Sequence, residues 1–187
     1  SLKNIINTKN IESVDDEDTQ TVQINNDDDF VRFTALFAYC TYLIRKKDSP
    51  RLEEVLDHNR EFSNRPMYKH LEARYHKLKG SKDDLSKAVN KAREAKDTKL
   101  KTSDHMGINH NLATAILTAI EEGAKEKTEN LLIEVETAIG FADGDDYAKL
   151  HATKGRLYAL RGNFQEARRE IRRAINNEND KKRDYAI

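Results

Sequence analysis

Residues 147–179, YAKLHATKGRLYALRGNFQEARREIRRAINNEN, constrain the fold of this chain more than any other stretch. Leu150, Leu157, Tyr158 and Leu160 recur at roughly helical spacing before Arg161-Gly162-Asn163. Phe164, Ala167, Ile171, Ala174 and Ile175 form a second helical stripe after it. Gly162 suits the left-handed residue that ends a helix, and Asn163 can cap the next one. The pattern predicts two amphipathic helices folded back on each other through a tight turn. Gly155 and Ala167 lack bulk, so the facing backbones can approach closely there. A glycine inside a helix costs about 1 kcal/mol against alanine, which gives Gly155 a packing role.

Gly155, Tyr158, Gly162, Phe164, Ala167, Ala174 and Ile175 stand at the offsets of a tetratricopeptide repeat, and the stretch resembles that family over its full length. It departs from the family at Asn179, where proline often stops the second helix, and at Lys154, where a bulky apolar residue is usual. The resemblance implies an all-α fold: a right-handed superhelix of antiparallel helix pairs, an α-solenoid of about four hairpins. It also implies a concave inner face built by the first helix of each pair.

Three further hairpins are read by analogy. The first runs from Asp29 to about Phe62, with Phe30, Phe33, Leu36, Phe37, Tyr39, Cys40, Leu43 and Ile44 in its first helix. Asp27 to Asp29 are expected to cap that helix, and Ser49 with Pro50 to start the next. The second runs from Pro66 to about Lys96, turning at Gly80-Ser81-Lys82-Asp83 through a connection expected to be longer than the family's. The third runs from Asp104 to about Phe141. Its first helix, apolar over more than one face from Leu112 to Ile120, is expected to be the most buried. Its turn falls at Gly123 or nearby, and its register stays open. Ala38, Ala73, Ala115 and Gly155, taken as equivalent small residues, recur at a loose period of roughly 40 residues. Ala142-Asp143-Gly144-Asp145-Asp146 reads as a loop and cap, and Asp180 to Ile187 as the start of another helix.

Composition agrees with a thin-cored helical repeat domain over residues 29–187. Charged residues make up 35% of the chain and hydrophobic ones only 37%, with two prolines. A compact sheet core needs more β-branched and aromatic runs, whereas stacked helix pairs bury a narrow continuous core. Residues 1–28 form an acidic, largely flexible segment or linker, in which Gln20, Val22 and Ile24 could share one side of an extended stretch. Another reading makes the segment the end of an upstream domain, or an acidic arm lying on the protein's own basic groove. The net charge of zero therefore hides an acidic start and a mildly basic remainder. That balance favours an anionic partner without the footprint of a nucleic-acid binder. One cysteine, Cys40, excludes a disulfide framework and a cysteine-based zinc site and fits a reducing, cytoplasmic setting. Burial as a small apolar residue is its expected state. No apolar run approaches a membrane span. A start at Ser1 and an end inside a helix-like pattern read as a piece of a longer protein.

No pattern in the chain calls for a cofactor, a metal or a catalytic group. Arg65 and His70 fit the Arg-x4-His pattern of helical HEPN-type ribonucleases, where the arginine steadies phosphate and the histidine moves protons. Two fixed positions arise easily by chance in an arginine-rich chain. His105 and His110 stand five apart, about 140° around a helix, which is poor for sharing an ion. They are expected to be solvent-exposed. Asp143 to Asp146 lack the alternating ligands and distal glutamate of a calcium loop. Arg168, Arg169, Arg172 and Arg173, among Glu166 and Glu170, read as an ion-paired face. The repeat resemblance, carried from Gly155 and Ala73, places Lys149, Ala152, Thr153 and Arg156, and His70, Arg74 and Lys77, on the inner face. Such a wall would attract a carboxylate or an acidic peptide. The family's asparagine clamp positions are absent, which argues against a chaperone-tail binder. The expectation is a non-catalytic scaffold that binds a peptide, a protein or another domain of its own polypeptide. The alternatives are a sensor or regulatory region of a larger bacterial signalling or defence protein, and, more remotely, the HEPN-like ribonuclease.

Overall fold

The computed structural model describes residues 20–97, 102–142 and 147–184. Every regular element among them is a helix. The acidic cluster at residues 15–18, the connection 98–101, the loop 143–146 and the last three residues lie outside the described residues. The chain divides into two compact units, Ser1–Phe62 and Ser63–Ile187.

The first unit contains α1 (Gln20–Lys46), α2 (Ser49–Asp57) and a 3-10 turn (Arg60–Phe62). Leu36, Cys40 and Leu43 recur at helical spacing on α1 and are buried, as are Leu52, Leu56 and Phe62. The Arg32 guanidinium lies 5.5 Å from the Phe62 ring centroid and donates to Glu61 at 2.9 Å. Several sequence expectations need correcting here. Gln20 to Ile24 are helical, not extended, and Asp27 to Asp29 lie inside α1 instead of capping it. No proline or glycine interrupts that stretch, and Asp29 gains an ion pair one turn on with Arg32. Asp48, not Ser49, caps α2, its side chain accepting from the Arg51 N–H, so Pro50 stands second in the helix. Ala38, taken as a packing position, is exposed.

The second unit contains α3 (Pro66–Lys79), α4 (Lys82–Lys96), α5 (Thr102–Glu121), α6 (Glu129–Phe141), α7 (Tyr147–Leu160) and α8 (Phe164–Asp184). They form three successive hairpins, α3 with α4, α5 with α6 and α7 with α8. The first helix of each hairpin also packs on the first helix of the next, α3 on α5 and α5 on α7. The α3–α4 connection is only Gly80-Ser81, shorter than expected. Gly80 takes φ 74°, ending α3 in the left-handed conformation that glycine adopts without penalty. The Ser81 hydroxyl oxygen accepts from the Asp84 N–H and caps α4. Gly123 (φ 66°) and Gly162 (φ 80°) end α5 and α7 the same way.

The core runs through all three hairpins. Leu85, Val89, Leu112, Ile116, Leu117, Val135 and Leu150 belong to one buried cluster. Helix α5 is walled on several sides, with Ile108, Leu112, Ala113, Ile116 and Leu117 at 0–1% exposure. It starts at Thr102, two residues before the expected Asp104. Gly155 is buried against α8: a Cβ there would lie 2.7 Å from Ile171 Cδ1 and 3.3 Å from the Ala167 carbonyl oxygen. The α8 stripe itself differs from expectation. Ala167 is buried, yet Phe164 (71%) and Ile175 (52%) are open. Helix α8 also runs through Asn179 to Asp184, with no new helix at Asp180. Without proline at Asn179, the backbone hydrogen bonding has nothing to stop it.

Candidate functional site

Helical spacing on three helices brings polar side chains together around one cavity of about 460 Å³. Helix α3 presents His70, Arg74 and Lys77 to it, and α7 presents Lys149, Ala152, Thr153 and Arg156. Between them α5 supplies Gly107, His110, Asn111 and Thr114. The six residues singled out on the inner face, His70, Arg74, Lys77, Lys149, Thr153 and Arg156, all line this one cavity. Each set follows an i, i+3/i+4, i+7 spacing, which keeps it on one helical face.

Hydrogen bonds from α5 knit the walls together. Lys77 Nζ donates to Thr114 Oγ1 at 2.9 Å and Asn111 Oδ1 at 3.3 Å. The Asn111 amide reaches the His70 carbonyl oxygen at 3.5 Å. Thr114 and Thr153 donate their hydroxyl hydrogens back along their own helices, to Asn111 O and Lys149 O. Their oxygens are thereby left as acceptors across the helix interfaces. Thr153 Oγ1 and His110 Nε2 share a hydrogen bond at 2.9 Å, which ties α7 to α5. At the far end, Arg156 donates to Thr118 at 2.9 Å and through Nε to Glu121 at 3.0 Å.

The electrostatics are one-sided. Arg74, Lys77, Lys149 and Arg156 line the cavity, and no carboxylate among the described residues does. Burial, with Arg74 and Arg156 nearby, pulls the Lys77 ammonium down to about 8. Burial, together with Arg74, Lys77 and His110, pushes the His70 imidazole down to about 3. His70 is thus neutral at physiological pH and shapes the wall without adding charge to it. Thr153, 3% exposed, spends its hydroxyl on Lys149 O and His110.

Other candidates separate from the cavity. Arg65 occupies the cap position of α3 with an extended backbone and is not a lining residue, so the Arg-x4-His pair does not meet there. The side chains of Asp104 and His105 lie outside the described residues. His110 is part-buried in the cavity wall, a correction to the solvent-exposed reading. No three potential metal ligands cluster among the described residues. Cys40 is fully buried. Arg169 pairs with Glu166 on the exposed side of α8, whereas Arg173 reaches from that side to the buried Glu170 at 2.9 Å.

No family model, curated protein or solved structure matches this chain.

The α5 contribution escaped the sequence reading because the register of the third hairpin stayed open, with Ala115 only loosely aligned to Gly155. Gly107, His110, Asn111 and Thr114 stand in the order and spacing of Lys149, Ala152, Thr153 and Arg156. Ala113, not Ala115, is therefore the counterpart of Gly155. The signal was the stripe Gly107, His110, Asn111, Thr114, Thr118 and Glu121 at i, i+3/i+4 spacing, on a helix whose other faces are apolar from Leu112 to Ile120.

Proposed function

We propose that this chain is a non-catalytic interaction module that captures an acidic peptide or protein segment in the cavity between α3, α5 and α7. The observation that carries this reading is the convergence of four cationic side chains on a cavity whose described lining holds no carboxylate. Lys77 is anchored through two neutral oxygens. A depressed ammonium marks a charge that its surroundings fail to stabilise, and an anion would supply the missing stabilisation. The contacts fall to Arg74, Lys77 and Lys149, with Arg156 held at one end by Glu121, and His70 and Thr153 shape the walls.

The mechanism is preorganisation. Hydrogen bonds from Asn111, Thr114 and Thr153 fix the helices before the partner arrives, which lowers the ordering cost of binding. Packing of each hairpin's first helix on the next supports a tetratricopeptide-like solenoid with these helices along its inner face. No helix among the described residues is long and apolar enough to cross a membrane, and a cytoplasmic setting accords with that and with the buried Cys40.

The test is fluorescence anisotropy with a labelled peptide rich in aspartate and glutamate. Binding should weaken as salt is raised. Arg74→Glu combined with Lys149→Glu should reduce affinity by at least about tenfold. Unchanged affinity in that variant would remove the cavity from the interaction.

A further inference from the structure

Helix α8 carries a face that the cavity does not use. We infer that this face docks an acidic amphipathic helix of a partner protein, with Phe164, Ile171 and Ile175 as the apolar contacts and Arg168 and Arg172 as the charged ones.

The order of residues around α8 is the first observation. At about 3.6 residues per turn, the buried Ala167 is followed around the axis by Ile171, Phe164 and Ile175, and these by Arg168 and Arg172. Phe164 (71% exposed), Ile171 (38%) and Ile175 (52%) thus form one open row beside the seam with α7. The two arginines, both exposed, border its solvent side. The row is held from beneath. Ile171 lies against Gly155 of α7, so closely that a Cβ there would come within 2.7 Å of it. Glu170 is buried and bonded to both His151 and Arg173.

Charge is the second observation. On the far side of α8, Arg169 pairs with Glu166 and Arg173 with Glu170. Arg168 and Arg172 meet no carboxylate among the described residues. The edge of the apolar row therefore carries two positive charges one turn apart. Carboxylates on a partner neutralise them, and a guanidinium takes each one in bidentate fashion.

The form of the row selects a helix as its occupant. Its apolar contacts follow at intervals of seven and four residues, over about 16 Å, the spacing that a facing helix matches. The backbone groups of α8 are spent within the helix, so an extended strand gains no ladder hydrogen bonds here. A second copy of α8 is a poor complement, because antiparallel pairing of the two rows sets Arg168 of each copy beside Arg172 of the other. Helix α6, the acidic helix of this chain, is no better: its Glu134 is held by Arg93 and its Glu136 by Arg161. A bilayer is engaged by a broad apolar face sunk into the acyl boundary, and three side chains in one row do not make one.

Fluorescence anisotropy with designed helix-forming peptides tests this. The probe carries leucines at i, i+4, i+7 and i+11 flanked by glutamates. One control replaces the glutamates by lysines, and another keeps the composition with the leucine row scrambled. The probe should bind at least about tenfold more tightly than either control. Phe164→Ser with Ile175→Ser, folded by circular dichroism, should weaken it at least about tenfold. Arg168→Glu with Arg172→Glu should do the same and should let the lysine control bind. Equal binding of the probe and the scrambled peptide would overturn docking as a helix. Unchanged affinity in either α8 variant would overturn the placement on this face, and loss of the probe on Arg74→Glu with Lys149→Glu alone would move it to the cavity. No binding of the probe, with a peptide rich in aspartate and glutamate still captured, would overturn the docking and leave the cavity reading standing; no binding of either would overturn both. Phosphatidylserine vesicles bound in place of the probe, or dimerisation in sedimentation velocity, each lost in Phe164→Ser with Ile175→Ser, would overturn the proposal in favour of a lipid surface or a second copy.

Discussion

Lys47 takes φ 57° at the end of α1, where its N–H bonds to the Ile44 carbonyl at 3.2 Å and the Asp48 N–H to the Leu43 carbonyl at 3.1 Å. A side chain with a Cβ is strained there, whereas glycine is not. Lys47→Gly should raise stability by about 0.5–1 kcal/mol, partly offset by the looser unfolded chain, as read by urea denaturation. Such a position is hard to see in sequence because lysine carries no left-handed preference. Gly80, Gly123 and Gly162 were legible for the opposite reason. Lys77 shows a second limit. Its place on the inner face followed from Ala73, but its hold on Asn111 and Thr114 needed the register of α5. Burial of its charge opposes folding at neutral pH. Lys77→Met should therefore stabilise the protein at pH 7 by about 1–3 kcal/mol, less whatever the two lost hydrogen bonds contributed.

Between elements, α7 and α8 approach closely at Gly155. Gly155→Ala gains helix propensity but drives a methyl into Ile171 and towards the Ala167 carbonyl. A net loss of about 1–2 kcal/mol is expected, and Ile171→Ala in the same chain should recover most of the clash. A double-mutant cycle by thermal denaturation measures that coupling. The same seam buries His151 and Glu170, both 4% exposed, with the His151 Nδ1 on a Glu170 carboxylate oxygen. Removing one partner, as in His151→Leu, leaves the buried Glu170 carboxylate with Arg173 alone and should cost about 1–3 kcal/mol. This pair was not legible. A histidine and a glutamate on two different helices become partners only once the hairpin is closed. The hairpin itself was legible, because Gly155, Gly162 and Ala167 each answer a backbone requirement. The stripe on α8 was read correctly as a periodicity but not as buried, since periodicity names a face without naming what covers it. Phe164 and Ile175 are exposed although they lie on that stripe.

At the scale of the whole molecule, two depressed groups set the response to pH. His70, held at about 3, stays neutral when folded, while its unfolded form takes up a proton below about 6.5. Stability is thus fully present above pH 6.5 and falls between 6.5 and 3, by on the order of 5 kcal/mol. Asp84, held below its ordinary value by the Ser81 hydroxyl and by His76, adds a further loss below about 3.8. Lys77 has the same sign at higher pH: the unfolded chain holds the proton up to 10.5 and the folded one only to about 8. The melting temperature should rise with pH across that window in the wild type and stay flatter in Lys77→Met. The same lysine gives the most direct reading of anion capture. An anion settling beside Lys77 restores its proton, so isothermal titration of an acidic peptide at pH 8, in two buffers of different ionisation enthalpy, reports the uptake. Uptake of about half a proton is expected in the wild type and none in Lys77→Met. Binding without proton uptake, or with equal uptake in both proteins, would contradict capture of an anion in this cavity.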